Sequence, residues 1–505
     1  MFRKFISRPY IVGFALGLQV IWLFVSLALL SANFRIINFI VQVVSVVAIL
    51  LILNQPNSPA FKLPWVVLIL TAPIFGGAVY FLTSGKEVFR RQQDRYLISS
   101  KWSAKYTDVE HSHAVQSIKK ENPNIAGQFH YLERKGFPVY NNTECNYYPM
   151  ANDAFPDLLE ALKGARRYIF LEYFIITQTS MWEEILKILE EKTGNGLDVR
   201  VIYDDVATMT KLPRRYLKEL EMKGIRCIAF NPFIPVVTAS MNNRDHRKIA
   251  VIDGEIAFTG GFNLSDEYIN RTHPFGTWKD AGVRLKGEGA YGLAIIFLTM
   301  WNAAKEVHED YDQFRPALAN INNIDSFVQP YAHEPFTGSQ IVGEIYRNMI
   351  NQANDYLYIY TPYLIPDPET LASLNLAADR GVDVRLIVPC IPDKKVIHQL
   401  TKAHYPQLVE HGVMIYEYTP GFVHSKCLVC DDKIASIGSA NLDYRSFYHS
   451  YEVGCLFYNS VVISELKNDF MKTLLECGPI KSVSTRLHIF SGVYYAILRV
   501  FSPLL

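Results

Sequence analysis

The chain carries one motif twice, in the same register. His246-Arg-Lys248 is followed after four residues by Asp253 and then by Gly260-Gly261-Phe-Asn263. His424-Ser-Lys426 is followed in the same way by Asp431 and then by Gly438-Ser439-Ala-Asn441. The His, Lys, Asp and Asn of the first copy all lie 178 residues before their counterparts. A single HxK is common, and a lone His beside an apolar strand is more often structural than catalytic. Two copies matching at His, Lys, Asp, Gly and Asn indicate two related modules, each supplying half of one active site.

A strand explains the spacing. Ile249-Ala-Val-Ile252 follows the first Lys and Cys427-Leu-Val429 the second, short apolar runs of the kind that form buried strands. Side chains two apart on a strand share a face, so each His and Lys project together. The downstream glycines permit close backbone approach, and each Asn brings an amide donor. A pocket of two His, two Lys and two Asn is rich in donors and cations, which suits a phosphate. Asp253 and Asp431 would repel that phosphate, so they are expected to brace the motifs through a salt bridge or backbone contacts. Around the motifs, strands alternate with helices in both halves. A helix near Asp153–Gly164, strand Tyr168–Ile176, helix Met181–Lys192 and strand Leu197–Tyr203 are echoed by Gly343–Ala353, Tyr356–Tyr360, Glu369–Arg380 and Val382–Val388. This order predicts an α/β fold of two sandwich modules with helices on both sheet faces.

The motifs, with Val201-Ile-Tyr-Asp-Asp205, Tyr360-Thr-Pro-Tyr-Leu-Ile-Pro-Asp367 and Gly438-Ser-Ala-Asn-Leu-Asp-Tyr-Arg-Ser446, closely resemble the phospholipase D superfamily and, within it, bacterial cardiolipin synthases. The resemblance spans roughly residues 137–505 and, more loosely, the segments before it. Asp245 stands where an Asn is usual, Ala207 where a Gly is usual, and His449-Ser-Tyr precedes Glu452. It implies a phosphatidyltransferase joining two phosphatidylglycerols into cardiolipin and glycerol through a phosphohistidine. His246, Lys248, Asp253, His424, Lys426 and Asp431 are the catalytic candidates, and Asn263, Asn441, Asp280 and Glu452 the candidates on the substrate side. The resemblance makes His246 the nucleophile and His424 the acid/base, a symmetry the residues alone do not break. Asp280 and Glu452 resemble the acids that orient the imidazoles, with their pairing open. A hydrolase or another head-group exchanger would use the same residues.

The length, 505 residues, allows about three folded units. A net charge of +1 argues against a nucleic-acid partner. Ile11–Leu30, Ile36–Leu53 and Leu63–Leu82 carry no charge, and each is about long enough for a membrane span. The expected organisation is a membrane anchor over 1–85 with two or three transmembrane helices, a polar connector over 86–136, modules over 137–320 and 321–485, and an amphipathic helix over 486–505. That last helix lies at the membrane interface or docks on the core. Lys86, Arg90, Arg91, Arg95 and Lys101 outnumber Arg3, Lys4 and Arg8, which favours catalytic modules on the cytoplasmic side of the bacterial plasma membrane. The expected partners are phosphatidylglycerol and membrane lipids. Cys427 and Cys430 form a lone CxxC inside a strand and read as small buried residues. Neither an acidic cluster nor a phosphate-binding Gly-rich loop is visible, so no metal or other cofactor is expected.

Overall fold

The computed structural model describes residues 32–55, 58–83, 87–107, 113–232, 243–316, 326–336, 338–480 and 489–504, with a few isolated positions before residue 32. They form two compact units. One takes its residues from Met1–Arg91, Phe233–Asn243 and His488–Leu505, the other from Gln92–Pro232 and Arg244–Leu487.

The smaller unit contains helices Ala32–Leu53, Pro59–Thr71, Pro73–Thr83 and Ile489–Phe501. The expected span Leu63–Leu82 is two short helices and not one. The chain leaves helical geometry at Ala72 (φ −141°, ψ 72°) before Pro73, which has no N–H to continue the ladder. The two pieces pack closely: a Cβ on Gly76 would lie 2.7 Å from the Leu68 carbonyl oxygen. Ile11–Leu30 falls outside the described residues except at isolated positions, and Ile36–Leu53 falls within helix Ala32–Leu53. Among the described residues no helix is long and apolar enough to cross a membrane. The helix expected over 486–505 is present as Ile489–Phe501, with Val493, Tyr494 and Ile497 exposed.

The larger unit is built on two mixed sheets of matching topology. The first comprises β1 (Thr143–Tyr148), β2 (Tyr168–Tyr173), β3 (Asp198–Asp204), β4 (Arg226–Phe230), β6 (Lys248–Ile252), β7 (Ile256–Gly260) and β9 (Gly282–Gly287), in the order β1-β9-β7-β6-β2-β3-β4. The second comprises β10 (Phe327–His333), β11 (Tyr356–Tyr360), β13 (Asp383–Pro389), β14 (Met414–Tyr418), β16 (Cys427–Cys430), β17 (Ile434–Gly438), β19 (Ser450–Tyr458) and β20 (Cys477–Pro479), in the order β10-β19-β17-β16-β11-β13-β14-β20. In both, the motif strand (β6 or β16) lies antiparallel between a central strand (β2 or β11) and its own hairpin partner (β7 or β17). This is an α/β fold with two sheet-containing modules.

Strand alternation sorts the core. Ile249 and Val251 face a central cluster shared with Tyr358, Tyr360, Cys427 and Val429 of the second sheet. Ala250 and Ile252 face the opposite way, onto the helices Ala151–Gly164 and Ser180–Gly194. The helices and strands expected around the motifs are found within a few residues of their expected limits. Several elements were not expected, strand β1 and helix Glu288–Lys305 among them. Strand β1 follows the stretch Phe137–Tyr140, of which only Tyr140 forms a bridge, to Val328. Helix Glu288–Lys305 is buried at every position from Gly289 to Ala303, so its sequence has no polar stripe to betray a period.

Candidate active site

Three short strands and the start of β19 set the histidines. β5 (Arg244–Asp245) pairs in parallel with the start of β19, and the next backbone N–H, that of His246, donates to the Tyr451 carbonyl at 2.9 Å. β15 (Gly421–Val423) pairs in parallel with β8 (Thr277–Lys279), and the His424 N–H donates to the Lys279 carbonyl at 2.7 Å. Each motif therefore docks on a strand of the other half, and the residue after each docking point is an acid. His246 Nδ1 lies 3.0 Å from both carboxylate oxygens of Glu452. His424 Nδ1 lies 2.6 Å from Asp280 Oδ2. The pairing left open by the sequence is thus crossed: each half orients the imidazole of the other. With Nδ1 occupied, Nε2 is the nitrogen of each ring left for chemistry.

The glycine pair of the motif makes room for the acids. A Cβ on Gly261 would overlap the Asp280 carboxylate. Its counterpart Ser439 instead donates its hydroxyl to Glu452. The shorter acid is accommodated by a missing side chain, the longer one by a hydrogen bond. Lys248 and Lys426 each donate to the carbonyl of their own motif histidine. Asn263 accepts from the Ile175 N–H at 3.0 Å and donates to the Tyr268 hydroxyl at 2.7 Å. Asn441 donates to Asp443 at 3.1 Å, and its buried Oδ1 has no hydrogen-bond partner among the described residues. Each amide thus spends one N–H on the protein and keeps the other.

Asp253 and Asp431 are not part of this pocket, contrary to their place among the catalytic candidates. Each sits at the far end of its motif strand, roughly 16 Å from the motif Lys at about 3.3 Å per residue, in a left-handed turn (φ 55° at both). Asp253 accepts from the backbone N–H groups of Arg166, Arg167 and Tyr168 at 2.8, 2.8 and 2.9 Å. Asp431 accepts from those of Asn354, Asp355 and Tyr356 at 2.8, 3.0 and 2.9 Å. Backbone bracing, not a salt bridge, is their contact.

Burial dominates the electrostatics. Asp280 and Glu452 are fully buried, and desolvation raises both carboxyls to about 7 against the pull of the lysines. Desolvation, reinforced by the opposing lysine, lowers Lys248 to about 7; burial likewise lowers Lys426 to about 8. Both histidines are held well below their ordinary value by burial and then by Lys248 and Lys426. Both lysines act on both rings, so the two motifs share one electrostatic site. A phosphodiester between the rings brings negative charge that opposes every one of these cationic shifts.

The pattern of the family described as "Cardiolipin synthase, PLD-like domain" matches residues 158–276 and 346–474. A cardiolipin synthase of Halalkalibacterium halodurans is 32% identical over 473 residues, covering 90% of this chain and 91% of that one. One from a Geobacillus species is 33% identical over 470 residues, covering 91% and 92%. The chain belongs to the phospholipase D-like cardiolipin synthases. Membership supports a phospholipid-modifying transferase. Residues 43–85 also match a pattern described as "Phospholipase_D-nuclease N-terminal". Among solved structures, the phosphatidylserine synthase of Haemophilus influenzae superposes with a TM-score of 0.53 at 13% identity, covering 71% of this chain and 92% of that one, a likeness of fold.

Against this family background, one residue beside the histidines carried no signal in the sequence. Arg247, the middle residue of the first HxK, is completely buried. Its Nε donates to the Glu452 carbonyl at 3.3 Å, and its Nη2 lies 3.2 Å from Glu334 and 3.3 Å from the Tyr96 hydroxyl. Tyr96, on helix Glu87–Ser103, donates to the same Glu334 oxygen at 2.6 Å. Glu172 and Asp245, packed beside Arg247, are both pushed upward by burial. The Asp245 that departs from the family's usual Asn belongs to this network. Its counterpart position in the second motif is the apolar Val423. Among the described residues no group of three or more His, Cys, Asp or Glu side chains could hold a metal.

Proposed function

We propose that the protein is a membrane-bound cardiolipin synthase that condenses two phosphatidylglycerols into cardiolipin and glycerol. The observation that supports this most is the crossed pair of acid-oriented histidines with two buried lysines, in a chain whose relatives are named cardiolipin synthases. His246 Nε2 attacks the donor phosphorus. The P–Nε2 bond forms, the P–O bond to the head-group glycerol breaks, and His424 gives that oxygen its proton. His424 then takes a proton from the free hydroxyl of a second phosphatidylglycerol, whose oxygen displaces His246. Lys248, Lys426 and the remaining N–H of Asn263 and Asn441 hold the non-bridging oxygens, whose charge grows in each transition state. Glu452 and Asp280 stabilise whichever imidazolium forms.

Membrane attachment is part of this reading because both substrates are lipids. The uncharged stretches before residue 83 and the apolar face of Ile489–Phe501 support it, and the basic residues after the anchor favour cytoplasmic modules. The test is purified full-length protein with labelled phosphatidylglycerol, its products resolved by lipid chromatography. Cardiolipin with equimolar glycerol is expected. Phosphatidic acid as the main product would make the protein a hydrolase.

A further inference from the structure

The reaction just proposed uses two phosphodiester anions, and the motifs account for only one. The donor's phosphate lies between the histidines. The acceptor brings a second phosphate, joined to its attacking hydroxyl through a three-carbon glycerol. Because the acceptor enters where the departing glycerol left, this second anion belongs on the His424 side of the pocket.

Most cations near the histidines are already committed. Arg244 bonds Asp204 at 3.2 Å. Arg247 is buried against Glu334, and Lys279 is bonded to Asp469 at 2.8 Å and to the Pro149 carbonyl at 2.9 Å. Arg445 lies in the field of Asp443, Asp204 and Glu452. Lys394 differs. It is exposed and directly precedes helix Lys395–Glu410. Its ammonium has no carboxylate in ion-pair contact among the described residues, and it sits 5.1 Å from the centre of the Tyr363 ring. Tyr363 is pinned by its hydroxyl, which donates to Asp393 at 2.5 Å. Its ring lies 6.5 Å from that of Phe422, which lies 5.8 Å from the His424 imidazole. This aromatic row leads from the exposed ammonium to the acid/base histidine. The Lys394 charge is also felt at both histidines, which places it within electrostatic reach of the reacting phosphorus.

We propose that Lys394 receives the phosphate of the acceptor phosphatidylglycerol and thereby selects an anionic lipid acceptor over water and neutral alcohols. The proposal rests on the two-phosphatidylglycerol reading above. Its cation is exposed before binding, so it also draws the anionic head group toward the pocket.

The test is a competition in full-length enzyme reconstituted with phosphatidylglycerol and supplied with ethanol as a neutral acceptor. Cardiolipin and phosphatidylethanol are measured together, so donor use is common to both products. Lys394→Gln is expected to lower the cardiolipin-to-phosphatidylethanol ratio roughly fivefold, the worth of one exposed charge pair. Lys394→Glu should lower it further, and Lys394→Arg should restore it. Lys402→Gln, on the helix that Lys394 precedes but paired with Glu417, should leave the ratio where it was. A ratio unchanged in Lys394→Glu, or one shifted equally by Lys402→Gln, would overturn the proposal. If wild-type enzyme makes phosphatidylethanol but no cardiolipin, the parent reading fails first, and this one with it.

Discussion

The two halves support their histidines with the same logic but from different strands. In the first half the supporting cation is Arg247, inside the motif, set against Glu334. In the second half Ser425 occupies that place, and its hydroxyl reaches the Lys279 carbonyl at 3.3 Å. The cation behind the second motif is instead supplied by the first half: Lys279, at the end of β8 and next to Asp280, set against Asp469. The residue matching Lys279, one place before Glu452 in the second half, is Tyr451, whose ring lies 5.5 Å from the Arg247 guanidinium. The positive charge has thus moved from one strand to its neighbour, while the aromatic contact is kept: Lys279 lies 5.6 Å from the Tyr360 ring. What the duplication preserves is the His-acid geometry; what it leaves free is the scaffold behind. The two halves can therefore differ in chemistry and stability although their motifs match.

The largest expected effect tests whether the histidines divide the chemistry. His246→Ala should remove the covalent adduct completely. His424→Ala should slow cardiolipin formation about 10²- to 10⁴-fold, the usual worth of general acid–base catalysis. With a p-nitrophenyl phosphodiester donor the leaving group needs no proton. On that donor His424→Ala should accumulate an acid-labile, base-stable phosphohistidine under rapid quench, and His246→Ala should not. An adduct mapped to His424 in wild-type enzyme would reverse the roles.

The supports come next. Removing one member of a buried ion pair costs about 3–5 kcal/mol because the other charge is stranded. Arg247→Ala should fall in that range, since Glu334 is nearly enclosed. Lys279→Ala should cost less, because Asp469 keeps about 12% of its side chain in solvent and rehydrates. Thermal or denaturant unfolding of both variants measures the difference. Equal losses would mean that the two supports are interchangeable.

How much of this was legible depended on whether a feature repeats. The fold class and the histidine–lysine motifs were readable because the two copies check one another. The crossing was not: β5, β8 and β15 are two or three residues long, too short for a periodic signal, and their partners lie more than 140 residues away. The pairing of Asp280 with His424 follows from that docking and from nothing local. The split of Leu63–Leu82 was signalled by Pro73, which uniform apolarity masked. Asp253 and Asp431 looked catalytic because they belong to the motif. Their distance from the site follows directly from strand length, since five residues of extended chain separate each from its lysine.

These two aspartates give a smaller and symmetric effect. Each fastens three backbone N–H groups at the start of β2 or β11. Asp253→Ala and Asp431→Ala should each destabilise by about 1–3 kcal/mol, the cost of leaving buried donors unmade. In the fraction that remains folded, turnover per molecule should be nearly unchanged. Active-site titration combined with unfolding curves separates the two quantities. A turnover loss comparable to that of Lys426→Ala would return them to the catalytic set.

The finest distinction lies in the pH profile. A lysine lowered by burial is fully protonated only below its folded value, so phosphate binding weakens as pH rises through that value. Lys248 stands at about 7 and Lys426 at about 8. The plot of kcat/KM, which reports the free enzyme, should therefore begin to fall near 7. In the complex the phosphodiester anion raises both lysines, so kcat should fall at a higher pH than kcat/KM. An arginine stays protonated throughout this range. Lys248→Arg should move the descending limb of kcat/KM up toward 8, where Lys426 takes over, while Lys426→Arg should leave its onset near 7. If Lys248→Arg leaves the limb where it was, the limb belongs to Glu452, Asp280 or a histidine and not to Lys248.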